Sequence, residues 1–318
     1  MNYLNQQLTL EQRMNMMSDE DIVEFAKSKD LEYFEALEDV AKGYSQGVIC
    51  IGPPGVGKTY ESEKVLAGAG ITHTDFLNSE WEKVPDSNPV EWECTELSTG
   101  PGPLVRASDY SEWALHADLF ANRNGGVVMI DDNDSIMKNT IALSVMMKAT
   151  EHKAVRPVDF TRAQFNSELS KYGVPTKFDF SGGIVILSNF DMKGMVQQSL
   201  GSTKAKPFVT RWGALLDRME YVDMEMNHPR AVRVYIEYKI RHNAIYTNKK
   251  SYIAQKFGRP LTEAEQEAML TWVRKNQYNF QLPLSLRTTN EIAALIVRTD
   301  GVETEWQIKA ARKLCRSI

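Results

Sequence analysis

Three short runs of unbroken apolar residues punctuate the chain: Val48-Ile49-Cys50-Ile51, Val127-Val128-Met129-Ile130 and Ile184-Val185-Ile186-Leu187. Apolar runs of this length predict strands buried on both faces, as in a parallel sheet covered by helices. A further strand is predicted over 221–226, and another where Val90, Trp92 and Cys94 alternate with polar residues. Between the runs the spacing turns helical. Residues 60–67 are closed by Gly68 and Gly70, and residues 111–122 carry Trp113, Ala117 and Phe120 on one face. Residues 136–151 predict one long helix and 212–219 a shorter one, while Thr99-Gly100-Pro101-Gly102-Pro103 predicts a loop.

Residues 1–43 predict a helical pair packed on the domain edge, with Ser18 and Asp21 placed to cap a helix. From His228 onward only helices are predicted, with capping boxes at Thr262/Glu265 and Thr288/Glu291. Alternating strands and helices followed by helices alone give an α/β domain over 44–227 and a helical domain over 228–318. Residues 152–180 break the pattern. Two short alternating segments, 155–160 and 176–180, bracket a polar stretch and Tyr172-Gly173-Val174-Pro175, which reads as a hairpin-like insertion.

Composition narrows the possibilities only a little. The 318 residues are 42% hydrophobic and 25% charged, as in an ordinary globular protein, and the net charge of −5 gives no overall basic field for nucleic acid. The polar N-terminus predicts no signal peptide, and no apolar run reaches membrane-spanning length, so a cytoplasmic protein is expected. The 3 cysteines and 5 histidines are scattered, without metal-ligand spacing.

The chemistry gathers after the apolar runs. Gly52-Pro53-Pro54-Gly55-Val56-Gly57-Lys58-Thr59 follows the first run and precedes a helix. That is the context in which glycines let backbone N–H groups cradle phosphates, with the helix N-terminus behind them. Lys58 is expected on the β- and γ-phosphates, Thr59 on Mg²⁺, and Tyr60 opens the helix beside them. Asp131 and Asp132 end the second run, where carboxylates are costly unless a cation or water meets them. Asp131 is expected to position Mg²⁺ through its water shell, and Asp132 to orient or deprotonate an attacking water. Asn189 ends the third run. Ligands of open parallel sheets bind at the carboxyl ends of strands, so the loop, Asp131 and Asn189 are expected to converge on one edge. Asn189 would hydrogen-bond the attacking water or the γ-phosphate. Arg287 precedes a predicted helix start, a place that suits a cation only when an anion lies opposite.

Taken in order, these residues resemble the AAA+ ATPases: GPPGVGKT at 52–59, VVMIDD at 127–132, ILSN at 186–189, LLDRM at 215–219 and LSLRT at 284–288. The resemblance spans residues 44 to 300. It implies a P-loop NTPase sheet of five parallel strands flanked by helices, then a helical lid, with ATP and Mg²⁺ as cofactors. It also implies a homo-oligomeric ring, usually a hexamer, with ATP at each interface. Asn189 matches the first sensor, Arg287 the second, and Arg218 the arginine finger, with Arg211 and then Arg230 as rivals. One departure stands out. The family's usual glutamate is Asp132 here, a shorter carboxylate that points to slow hydrolysis and is similar to replication initiators and helicase loaders. The insertion resembles the pre-sensor hairpin of ring helicases and protein-unfolding rings. Its Lys153, Arg156, Arg162, Lys171 and Lys177 interleave with Phe160, Phe165 and Tyr172, as suits single-stranded nucleic acid, although Asp159, Glu168 and Asp179 dilute the charge. The expected client is therefore nucleic acid or a nucleoprotein complex. The alternatives are a protein client, as in the MoxR branch, or a slow ATP-gated loader or scaffold. The compact layout is also similar to ATPases encoded by bacteriophages, which would place the protein in the host cytoplasm.

Overall fold

A computed structural model describes residues 10–107, 110–160, 170–189, 206–224 and 228–316. The chain divides into two compact units, one drawn from Met1–Lys29, Gly52–Gly57 and Met224–Ile318, the other from Asp30–Ile51 and Lys58–Asp223. Two helices, α1 (Leu10–Met16) and α2 (Asp19–Lys42), lead to the first strand, β1 (Gly47–Ile51). The capping residues read from sequence do close α2: the Ser18 N–H donates to Asp21 Oδ2 at 2.9 Å and the Asp21 N–H to Ser18 Oγ at 3.1 Å.

Beyond the glycine-rich loop come α3 (Lys58–Gly68), β2 (Thr72–Lys83), β3 (Trp92–Pro101), β4 (Leu104–Arg106), α4 (Glu112–Ala121) and β5 (Val127–Asp131). Then follow α5 (Asp134–Lys138), α6 (Thr140–Ala149), β6 (Arg156–Asp159), β7 (Lys177–Phe180), β8 (Gly183–Ser188), α7 (Lys206–Arg218) and β9 (Glu220–Asp223). The main sheet has the order β4-β5-β8-β1-β9, and each of its pairs is parallel. This is the expected five-stranded parallel sheet. Its three central strands are the three apolar runs, and Val48, Ile49, Val127, Val128, Ile130 and Ile184 are fully buried. Each such side chain contributes about 1.5–3 kcal/mol on burial, an upper figure given a compact unfolded chain.

Three local expectations are corrected. Residues 90–94 do enter a strand, but β3 pairs antiparallel with β2 in a separate two-stranded ribbon, and the sheet's fifth strand is β4. The loop read at 99–103 is partly strand, because Thr99, Gly100 and Pro101 pair with Thr74, His73 and Thr72. The single helix read over 136–151 is broken at Asn139. Its side-chain oxygen accepts from the N–H groups of Ile141 and Ala142 at 2.9 and 3.2 Å and so starts a second helix.

The ribbon is anchored at its base. Thr74 exchanges hydrogen bonds with the Asn122 amide at 3.0 Å each, and Arg106 bridges Asp75 and Asp118 at 2.6 and 2.8 Å. Further along, Phe76, Trp81 and Tyr172 pack together, Tyr172 edge-on to the other two, with ring centroids 5.0 to 6.1 Å apart.

The insertion is a hairpin, β6 against β7, as its alternation suggested. Its proposed nucleic-acid surface is partly core, however. Phe160 and Arg156 are 2% and 3% exposed. The Arg156 guanidinium donates to the carbonyls of Phe180 and Gly182, and burial lowers its pKa to about 10. Arg162, Phe165 and Glu168 lie outside the described residues.

The other unit is helical: α8 (Pro229–His242), α9 (Tyr252–Phe257), α10 (Glu263–Asn276), α11 (Leu286–Arg298) and α12 (Glu303–Leu314). Val234, Tyr235, Ile240, Leu270, Ile292, Ile296 and Trp306 are buried there. The Thr262–Glu265 capping box is present. The one expected at Thr288 is not the helix start: Ser285 caps α11, accepting from the Thr288 N–H at 3.2 Å. Asp19 accepts from Arg230 and Arg233 at 2.6 and 3.0 Å, and Arg230 also donates to the Met14 carbonyl at 3.1 Å. The N-terminal helices are therefore fastened to α8 by charge-assisted hydrogen bonds, and Arg230 is engaged in that fastening.

Candidate active site

The glycine-rich loop joins the end of β1 to the start of α3, so the sheet's own topology delivers Lys58 and Thr59 to the first turn of a helix. Gly55 and Gly57 have φ of 71° and 100°, a region that side chains with a Cβ avoid. Gly55 is required for a second reason: a Cβ there would lie 2.5 Å from the Ser285 Cβ. Its carbonyl accepts from the Leu286 N–H at 2.9 Å. An open cleft of about 380 Å³ is lined by Pro54, Gly55, Ser285, Arg287, Thr288, Glu291 and Lys313. Arg287 thus stands beside the loop, but as the second residue of α11 rather than ahead of it. Its side chain is exposed, and a cation in that first turn opposes the helix dipole.

The sheet order explains the remaining convergence. Strand β8 lies between β1 and β5, so Asn189, just past β8, sits between the residues that follow the other two strands. Lys58 is 8% exposed, and its Nζ donates to Asn189 Oδ1 at 3.0 Å. Asn189 Nδ2 donates to Asp132 Oδ2 at 2.7 Å. A lysine can only donate and a carboxylate only accept, so the two partners fix the orientation of the amide. Burial lowers the Lys58 pKa, and the fields of Cys50, Asp132 and Asp131 oppose that shift. Thr59 Oγ1 donates to Asp131 Oδ2 at 2.7 Å.

Asp132 leaves the strand with φ of 46°, a left-handed conformation that costs a residue with a side chain about 1–3 kcal/mol. Its N–H donates to the Leu187 carbonyl at 3.0 Å. Glu63, one turn beyond Thr59 on α3, was missed by the sequence reading. Burial, and then the charge of Asp131, raise its pKa. The only signal for it was its i+4 spacing from Thr59.

This donor set fits Mg²⁺-bound ATP. A hydroxyl and a carboxylate oxygen are hard ligands already within hydrogen-bonding distance of one another, and the Lys58 ammonium stands beside them. Tyr60, by contrast, has a 66% exposed ring. Arg218 ends α7 and donates to the Ala214 carbonyl at 2.8 Å. With Arg211, Lys148 and Ser144 it lines a second open cleft, where Arg211 Nε donates to Ser144 Oγ at 2.8 Å. The described hydrogen bonds bring Lys58, Thr59, Asp131, Asp132 and Asn189 together, and neither Arg218 nor Arg211 is among their partners.

No family model and no curated protein matches the sequence. Among solved structures, the chain is similar to a RuvB mutant of Thermotoga maritima at 12% identity and TM-score 0.45, covering 90% of this chain and 68% of that one. It is similar to domain III of the Thermotoga maritima replication initiation protein DnaA at 13% identity and TM-score 0.43, covering 90% and 92%. It is also similar to the FIGL-1 AAA domain in complex with ADP at 14% identity and TM-score 0.37, covering 86% and 73%. No helix among the described residues is long and apolar enough to cross a membrane.

Proposed function

We propose that the protein is an AAA+-type ATPase that hydrolyses ATP in sites shared between the subunits of a homo-oligomeric ring. The observation that carries this reading is the chain of contacts from Lys58 through Asn189 to Asp132, beside the Thr59–Asp131 pair. In it, the Gly52–Thr59 backbone and Lys58 hold the phosphates, and Arg287 is a further candidate cation for the nucleotide. Thr59 and Asp131 would hold Mg²⁺, which when bound would neutralise phosphate charge. Asp132 takes a proton from the attacking water, and Asn189 holds that water or the γ-phosphate in line. Arg218, or Arg211 beside it, completes a neighbouring subunit's site by stabilising the charge that develops in the transition state. Such a contact is heterologous and closes into a ring, for which six subunits is the usual number in the family.

The client of this motor is nucleic acid or a nucleoprotein complex. Lys153, Lys171 and Lys177, all exposed on the insertion, are the described cations that support that choice. A slow, loader-like ATPase is the second reading. It is favoured by the short Asp132 carboxylate held in a left-handed turn. The test is phosphate release by wild type and Asp132→Asn over a range of protein concentrations, with and without single-stranded DNA or RNA. Specific activity should rise as subunits assemble, and Asp132→Asn should bind ATP and release no phosphate. Turnover by Asp132→Asn at the wild-type rate overturns the assignment. The absence of salt-dependent stimulation by either nucleic acid removes that client.

A further inference from the structure

We infer that Tyr33 is a positioning residue for Lys58, acting through Ser62; the inference rests on the ATP-binding reading above. Tyr33 lies on α2 and is 2% exposed, and Ser62 lies on α3 and is fully buried. Ser62 Oγ donates to the Lys58 carbonyl oxygen at 2.7 Å, and the same Oγ meets the Tyr33 hydroxyl at short range. A serine hydroxyl has a single hydrogen. With that hydrogen on the Lys58 carbonyl, the phenol must be the donor to Ser62. The result is a directed relay from the Tyr33 O–H through Ser62 to the backbone of Lys58.

The position of the relay gives it a purpose. Through Ser62, Tyr33 reaches the backbone of Lys58, the first residue of the helix that follows the phosphate loop. Ring packing alone would be served by phenylalanine, and a buried hydroxyl costs stability unless it is bonded. What the hydroxyl adds is a fixed placement for the turn that carries Lys58 and Thr59. Both of those side chains make their site contacts from this turn, Lys58 to Asn189 and Thr59 to Asp131. A misplacement of about 1 Å in such a constellation can cost a hundredfold.

The test uses Tyr33→Phe, Ser62→Ala and the double variant in the full-length protein, with two readouts. Without nucleotide, hydrogen exchange of the amides from 58 to 63 should rise about fivefold in each variant, the equivalent of one net buried hydrogen bond. With Mg²⁺ and a non-hydrolysable ATP analogue, each single variant should bind about tenfold more weakly, with the double variant no weaker than Ser62→Ala. Unchanged exchange overturns the inference, as do affinity losses that multiply in the double variant. A lowered Tm with wild-type affinity also overturns it, since that is the signature of packing alone. If exchange responds while the wild type binds no analogue at all, the tether is upheld and the nucleotide reading falls.

Discussion

Replacing Asn189 with alanine removes both hydrogen bonds that join Lys58 to Asp132, at 3.0 and 2.7 Å. Hydrogen bonds to charged groups contribute about 1.5–3 kcal/mol each, but Asn189 and Asp132 are exposed, so water replaces much of that in the resting protein. Little loss of Tm is therefore expected. Turnover is another matter. In the proposed reaction, transfer of Lys58 to phosphate releases Asn189 Oδ1 to accept from the attacking water while Nδ2 stays on Asp132, and bulk water cannot substitute for an oriented partner there. One such bond, at about 1.5–3 kcal/mol, corresponds to a fall in kcat of about tenfold to a hundredfold. Affinity for ATP should stay within about threefold of wild type, because Lys58 and the loop remain. Phosphate release at saturating ATP gives kcat, and equilibrium binding of a non-hydrolysable analogue gives affinity. A variant with weakened binding and wild-type kcat would show that Asn189 serves only to seat the Lys58 ammonium. The reasoning about the transition state would then be wrong.

Two further outcomes are expected. Arg218→Ala should bind ATP normally and lose hydrolysis in the assembled protein, with activity regained when it is mixed with Lys58→Ala subunits whose Arg218 is intact; no regain on mixing makes Arg218 a residue of its own subunit's structure alone. Burial pushes the Asp75 carboxyl up, but hydrogen bonds from Arg106 and Asn78 outweigh it and leave the pKa below 3.8. Its contribution is thus complete above pH 3.8 and lost as pH falls through the lower folded value. Asp75→Asn should accordingly cost about 1–2 kcal/mol at pH 7 in denaturant unfolding, with the difference from wild type narrowing progressively as pH falls below 3.8. Asp118 shares the same guanidinium but is pushed up by burial, and the Asp75 charge adds to that shift, so its titration has the opposite sign and is eased in Asp75→Asn. A gap between the two proteins that does not shrink as pH falls below 3.8 contradicts the ion-pair account.

The sheet was legible because its central strands are buried on both faces, which leaves an unbroken apolar run as the only solution. The polar residues closing those runs, Thr59 excepted, were legible for the same reason: Asp131, Asp132 and Asn189 are conspicuous where everything before them is apolar. The ribbon was not. Its β2 strand, Thr72–Lys83, carries exposed carboxylates and little alternation, and it is held by side chains far along the chain, Asn122 and Arg106 among them. The break at Asn139 was hidden because a capping residue inside an apolar stretch looks like an ordinary polar position of a helix. Arg156 was read as a surface cation because composition cannot tell whether a guanidinium faces water or two backbone carbonyls. The Tyr33–Ser62 relay joins residues on different helices, and no spacing rule in one sequence reports such a pair.

In the proposed function, the loop ending at Lys58 holds a nucleoside triphosphate. The most direct measurement is equilibrium binding of a fluorescent, non-hydrolysable ATP analogue with Mg²⁺ to wild type and to Lys58→Ala, each shown to be folded by circular dichroism. Saturable binding to the wild type that is abolished in Lys58→Ala is the predicted result. Equal binding to both proteins, or none to the wild type, would contradict it.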